Sequence, residues 1–391
     1  MSEINRRELL GTAAAIAGGL SVSSLVSRKT HAVQSEGMEE AKEDVKGSDI
    51  LPSFRFAMEA QKGRIYEGGS AKEASVAEFP VSKGLAGVSM RLKPGGLREL
   101  HWHANAAEWA YMIRGHARIT IIDPDERWEI VDFGPGDVWY FPKGFGHSIQ
   151  GLGPDECHFI LVFDNGYFSE FATFSLTDWI AHTPPEVLSK NLGVSAATFS
   201  NFPKKEVYIA NGPVPPLLPS DPPAGSEKTT SLTHRYHLKA QVPQTFARGS
   251  FRLVSQKEFP ISTTITGATM TLDRGALREL HWHPNADEWQ YYISGRARMT
   301  VFASSGRAET VEFGPGDVGY VPQGYGHYIE NVGEEECRVL FAFNSGEYQE
   351  ISLSGWLASN PRLLLATNFG VSETIISRFP KKDVFIAPEN R

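Results

Sequence analysis

Leu97-Arg98-Glu99-Leu100-His101-Trp102-His103, followed five residues later by Glu108, is the stretch from which the rest of the chain can be read. It occurs again as Leu277-Arg278-Glu279-Leu280-His281-Trp282-His283, followed by Glu288. Each member is displaced by 180 positions (281 − 101; 288 − 108), as is a later pair, His147 and His327. Side chains at i and i+2 of a strand point to one face. His101 and His103 therefore reach one ion together, and so do His281 and His283. In a helix the same two rings would be splayed by about 200°. Three imidazoles and a carboxylate, repeated in order and spacing, read as two metal sites. The first is His101, His103, Glu108 and His147; the second is His281, His283, Glu288 and His327.

The intervening residues suit that reading. Ala104-Asn105-Ala106-Ala107 makes a turn that leads to Glu108 on the next strand, and Pro284-Asn285 makes its counterpart. His147 follows the hairpin Phe133-Gly134-Pro135-Gly136-Asp137 and a second turn, Pro142-Lys143-Gly144-Phe145-Gly146, so it returns on a neighbouring strand. Structural zinc sites are closed and often rich in cysteine, whereas catalytic sites keep positions open. Four ligands on an octahedral ion leave two positions for substrate or O₂. Imidazole with a hard carboxylate suits Mn, Fe, Co, Ni or Zn, and ligand type alone does not choose among them.

Outward from the ligands the repeat continues. Ser53-Phe54-Arg55-Phe56 aligns with Thr233-His234-Arg235-Tyr236, and Glu78-Phe79-Pro80 with Glu258-Phe259-Pro260. Such self-similarity means two copies of one domain. Short β-branched and aromatic runs, such as Ala117–Ile122 and Val138–Phe141, alternate with Gly/Pro turns. They predict short antiparallel strands and an all-β fold of two tandem jelly-roll β-barrels. Each copy closes in a helical segment; Thr177 or Asp178 is the expected N-cap of the first. The expected domains are 51–210 and 231–391, joined by a Pro-rich linker over 211–230. The offset falls to 177 between Gly166 and Trp179, so the first copy has three extra residues around Tyr167–Thr173. A longer loop in one copy is where a lid or catalytic group would differ.

The formal net charge of −8 over 391 residues, with no basic run, excludes nucleic acid and stable membrane association as expected partners. Cys157 and Cys337 occupy equivalent positions and read as buried thiols. Near the start, Arg6-Arg7 precedes a mild apolar run, Gly11–Leu20, and a small-residue cleavage site at Thr30-His31-Ala32. The expectation is a twin-arginine-type signal peptide over 1–32, a polar linker over 33–50, and an exported, periplasmic or extracellular protein.

Gly95, His101, His103, Glu108 and Gly115 match the first cupin motif, and Gly136, Pro142, Gly144 and His147 match the second. The C-terminal copy matches through Gly275, His281, His283, Glu288, Gly295, Gly316, Pro322, Gly324 and His327, closing on Asn331 where the first copy has Gly151. From about residue 51 the chain resembles a bicupin oxalate decarboxylase. Arg98 and Arg278 match the substrate-side arginines of that family. Ser169-Glu170 matches the start of its lid motif, Ser-Glu-Asn-Ser, whose glutamate is the catalytic acid–base group. The chain departs from the family's pattern in two places. Phe171-Ala172 replace polar residues that help hold its lid closed, and Phe341 stands where members can carry a glutamate near the C-terminal metal. The resemblance implies Mn²⁺, two per chain, with O₂ as an obligatory but unconsumed helper. It implies oxalate as substrate, formate and CO₂ as products, and a homo-oligomer, trimeric or a hexamer of stacked trimers. Two other readings are an oxalate oxidase giving H₂O₂ and CO₂, and a metal-bound bicupin that binds or stores without catalysis. Trp102 and Trp282 are expected to pack in the barrel walls.

Overall fold

A computed structural model describes residues 51–216, 218 and 231–387. The expected signal peptide, the linker over 33–50 and most of the Pro-rich linker lie outside them. Among the described residues the two copies form two jelly-roll barrels, each a six-stranded sheet facing a seven-stranded one. In the first barrel the six-stranded sheet runs Phe174–Ser175, Gly96–Trp102, Gly146–Gly151, Ala117–Ile122, Trp128–Phe133, with Ile209–Asn211 also paired to Gly96–Trp102. The strand Ala117–Ile122 buries alternate residues, Ala117, Ile119 and Ile121, as a half-exposed sheet requires. Gly144 turns the chain ahead of His147 with φ +83°, a left-handed conformation that favours glycine.

The seven-stranded sheets hold a feature that the repeat does not display. The strand Arg55–Phe56, which opens the first copy, pairs with Val318–Val321 of the second. Reciprocally, Arg235–Tyr236 pairs with Val138–Phe141 of the first. Each copy thus lends its opening strand to the other's sheet. Phe54 is fully buried in the core of the second barrel, and His234 is buried near Phe141 and Phe145 of the first.

Three large cores result among the described residues, one inside each barrel and one between them where the two seven-stranded sheets meet, with a small fourth cluster of Leu365, Ala366 and Ile376 in the C-terminal helices. The central core rests on Trp109 and Trp289, both fully buried. Each indole lies on a glycine of the opposite copy. A Cβ at Gly87 would stand 2.2 Å from the Trp289 ring, and one at Gly267 would stand 2.0 Å from the Trp109 ring. Gly87→Ala or Gly267→Ala should therefore destabilise the chain by about 1–3 kcal/mol through overpacking. An unshifted thermal midpoint in both variants would contradict this packing.

The α-helical segments among the described residues are Leu176–Ala181 with Pro185–Leu192, and Leu353–Ala358 with Arg362–Phe369 and Glu373–Ile376. The first helix is capped by Ser175, whose hydroxyl accepts from the Asp178 amide, and not by Thr177 or Asp178. The strand Phe174–Ser175 runs directly into this helix, so its last residue has the extended backbone that a cap requires. Cys157 and Cys337 are buried free thiols, as expected.

Candidate metal centres and active site

His101 and His103 leave the Gly96–Trp102 strand toward the barrel interior, and the antiparallel ladder sets His147 opposite His101. Glu108 opens the next strand of the facing sheet. The ligating atoms of these four buried residues lie within 4.8 Å of one another. His101 Nε2, His103 Nε2, His147 Nε2 and Glu108 Oε2 are buried without hydrogen-bond partners. In three of the four the other atom is engaged. The Nδ1 of His101 lies 2.6 Å from the Glu99 carbonyl, and that of His147 lies 2.9 Å from the Phe145 carbonyl. Those carbonyls accept from Nδ1–H, which leaves each Nε2 lone pair aimed at the centre. The Trp139 indole donates to Glu108 Oε1 at 2.7 Å and turns Oε2 inward. Burial, then the nearby Arg98 charge, hold His101 well below the usual imidazole range, so the ring is neutral as a ligand must be. Orphaned, convergent donors of this kind, with a neutral imidazole at His101, fit a divalent metal.

Above the ligands sits the loop of the first copy. Glu170, fully buried, pairs with Arg98 (Nε to Oε1, 2.8 Å) and reaches within 3.2 Å of His103 Nε2. Arg98 also donates to Thr173 Oγ1 at 2.8 Å, and its guanidinium lies 4.0 Å from the Tyr208 ring centre. Burial pushes the Glu170 carboxyl up, but the adjacent Arg98 charge and His103 outweigh it and hold it at about 2. Glu170 is thus held ionised, between Arg98 and the ligand histidine His103. The start of the loop is held by Glu73, which accepts from Ser169 Oγ at 2.8 Å and from the Glu170 amide at 2.6 Å. Burial pushes Glu73 up to about 7 despite those bonds.

The second centre repeats the ligands and changes their surroundings. His281, His283, Glu288 and His327 are again buried and mutually within 4.8 Å. Carbonyls of Glu279, Gln349 and Tyr325 engage the three Nδ1 atoms. Gln290 takes the place of Trp139 and donates to Glu288 Oε1 at 2.6 Å. Burial raises the Glu288 carboxyl, yet His327 and His283 outweigh it and hold it well below the carboxylate range. Arg278 is paired with Glu350, as Arg98 is with Glu170. The second loop therefore does supply a counterpart carboxylate, although it is shorter. Glu350, however, bonds to Arg278 and the Tyr348 hydroxyl and does not extend to the imidazoles. The space beside His281 and Glu288 amounts to about 10 Å³, with Phe251, Phe341 and Tyr348 among its lining. The repeat partners of Phe251 and Phe341 in the first copy are the smaller Ala71 and Leu161.

Every ligand named from the sequence converges on its centre, and Arg98 and Glu170 meet at the first. Trp102 and Trp282 belong to the wall strands, as expected, and pack on their outer faces. The alternation that aims the histidines inward aims them outward, where Trp102 stacks on Phe174 and meets Trp179 edge to face, and Trp282 meets Trp356 edge to face. Sequence reasoning did not single out Thr173, Tyr208, Glu73 or Trp139. It also gave no role to Glu99 and Glu279 in the repeated stretch. Glu99 Oε1 accepts from the amides of Val207 and Tyr208, and Glu279 Oε1 from those of Val384 and Phe385. These bonds anchor the left-handed residues Tyr208 (φ +63°) and Phe385 (φ +59°) beneath the two arginines. The exact repetition of Glu at 180 was the available signal.

Two jelly-roll barrels in one chain, each with a buried His₃Glu centre, define a bicupin metalloprotein. Comparison with known proteins narrows the class. The cupin family matches residues 58–199 and 238–377. The chain is 47% identical to oxalate decarboxylase OxdC of Bacillus subtilis over 323 residues, 83% of each chain. It is 34% identical to an oxalate decarboxylase of Arthroderma benhamiae over 361 residues, 86% of this chain and 84% of the relative. A structure of the Bacillus subtilis oxalate decarboxylase at pH 4.6 superposes with a TM-score of 0.83 at 42% identity, covering 96% of this chain and 97% of that one. Another structure of that enzyme, described for its Mn(II) centers, superposes at 0.82 with 41% identity, covering 96% of this chain and 99% of that one. This chain belongs to the bicupin oxalate decarboxylase family of the cupin superfamily.

Proposed function

We propose that the chain is a manganese-dependent oxalate decarboxylase whose chemistry takes place at the N-terminal centre, with O₂ as an unconsumed helper. The observation that carries this is the pair Glu170–Arg98, buried together against the ligand histidines. His101, His103, His147 and Glu108 would hold the metal, which supplies a Lewis acid and a one-electron acceptor for the bound carboxylate. Arg98 binds the oxalate dianion through its planar donor fork. Ionised Glu170 takes up one proton from solvent acid and, once the C–C bond has broken and CO₂ has left, returns that proton to carbon. In balance, oxalate plus one proton gives formate and CO₂. The competing oxidation consumes oxalate, O₂ and two protons and gives two CO₂ and H₂O₂. The test is to incubate metal-loaded protein with oxalate in air and assay formate and peroxide. Formate in excess supports the reading; peroxide without formate makes the chain an oxidase, and neither product makes it a binding protein.

Two further parts of the reading rest on other observations. We assign a homo-oligomer, a trimer or a hexamer of stacked trimers, because large apolar side chains are exposed along the outer faces and helices. They include Leu100, Phe174, Trp179, Leu280, Phe302, Trp356 and Leu363. An active monomer in light scattering at micromolar concentration would overturn that assignment. We assign export to residues 1–32, on the Arg6-Arg7 pair and the apolar run that follows. Replacing both arginines by lysine should then block secretion, and normal secretion would count against a twin-arginine route.

A further inference from the structure

The loop that carries Glu170 departs from the family's polar motif at Phe171, and the structure shows where that ring goes. Phe171 is half-buried against the core of the first barrel. The Arg64 guanidinium lies 3.8 Å from its ring centre on one side. Tyr208 lies 5.5 Å away, centre to centre. Tyr208 in turn carries the Arg98 guanidinium at 4.0 Å and touches Tyr66 at 4.8 Å. Arg64, Phe171, Tyr208 and Arg98 thus form one ladder, in which a cation flanks each side of a pair of rings. Its inner end is the arginine that binds Glu170. Arg64 and Tyr66 come from one strand, Arg64–Tyr66, and the partner strand Gly69–Ala74 supplies Glu73, the acceptor for Ser169 and Glu170. One hairpin therefore receives the loop at two points.

The second copy supplies an internal comparison. There Phe385 takes the place of Tyr208 beneath Arg278. The ring set against Phe385 at 5.2 Å is Phe251, which belongs to the barrel wall. Its partner at offset 180 is Ala71. Where the second copy builds this contact from its wall, the first copy builds it from the loop that bears the carboxylate.

We propose that Phe171 is a positioning residue: seated between Arg64 and Tyr208, it latches the loop closed so that Glu170 stays over the N-terminal centre. This rests on the reading of Glu170 as proton acceptor and donor. Aromatic and cation–π contacts do here what polar side chains do in the family's motif. A latched loop keeps Glu170 in place until it has returned its proton to carbon, and it excludes water meanwhile. An unlatched loop favours peroxide and CO₂ over formate.

The test uses full-length, metal-loaded protein. Phe171→Ala should lower the formate-to-peroxide ratio about tenfold, the combined size of a lost aromatic pair and cation–π contact. Independently of turnover, amide hydrogen exchange across residues 169–173 should quicken by a similar factor, roughly tenfold. Phe171→Tyr, which keeps a ring, should restore both readouts. Arg64→Gln, at an exposed position outside the site, should shift both in the same direction by about threefold. Unchanged ratio and unchanged exchange in Phe171→Ala, with metal content intact, would overturn the latch. If the unaltered chain makes no formate, the decarboxylase reading fails instead, and the exchange measurement still decides whether Phe171 holds the loop.

Discussion

Glu170→Ala should lower formate production by at least about 10²-fold, the usual size of a positioned acid–base group. The reason is geometric. Glu170 is the carboxylate that lies both on Arg98 at 2.8 Å and within 3.2 Å of a ligand histidine. Arg98 and the four ligands remain in the variant, so oxalate still binds and oxidation continues. Peroxide per oxalate consumed should therefore rise as formate falls. Glu170→Gln is the stricter variant, because it keeps the shape and the bond to Arg98 while losing proton transfer. Glu350→Ala should leave the ratio of products unchanged, since Glu350 is tied to Arg278 and Tyr348 beside a space of about 10 Å³. Full decarboxylation in both Glu170 variants would move the acid–base role away from this loop.

The second large effect concerns the metal. Purified protein should carry up to two equivalents of manganese per chain. His101→Ala should remove one of them and reduce turnover to background. Loss of a Lewis acid withdraws several kcal/mol of charge stabilisation, on the order of 10³-fold in rate. Glu108→Ala should do the same, with an added cost to stability of about 1–3 kcal/mol because the buried Trp139 N–H loses its acceptor. His281→Ala should remove the other equivalent and leave the N-terminal one in place. Elemental analysis of the three variants checks each statement. Full activity with stoichiometric zinc, or two equivalents retained in His101→Ala, would count against the assignment.

How much of this was legible in the chain differs from part to part. The ligand sets were legible because strand alternation converts a spacing of two into a shared face, and because everything occurs twice. The barrel fold followed from short apolar runs between Gly/Pro turns. Arg98 and Glu170 came from the family's motifs, and nothing in their 72-residue separation predicts a 2.8 Å contact. The N-cap at Ser175 was missed by two or three residues, since the chain passes from strand to helix without an intervening turn.

The sequence by itself determined that there are two metal centres, which residues hold them, and that they differ at the loop. These properties are local or repetitive: they follow from periodicity, from residue chemistry and from comparing one copy with the other. Only the tertiary structure decided how the copies join, since an exchanged strand such as Arg55–Phe56 pairs equally well in pattern with either barrel. Only it separated the carboxylates, because Glu170 and Glu350 each find an arginine and differ in what else they reach. Only it gave Phe171 its place. A ring's partners are set by what folds against it from distant strands, here Arg64 and Tyr208, and a linear pattern of polar and apolar residues contains no record of that meeting.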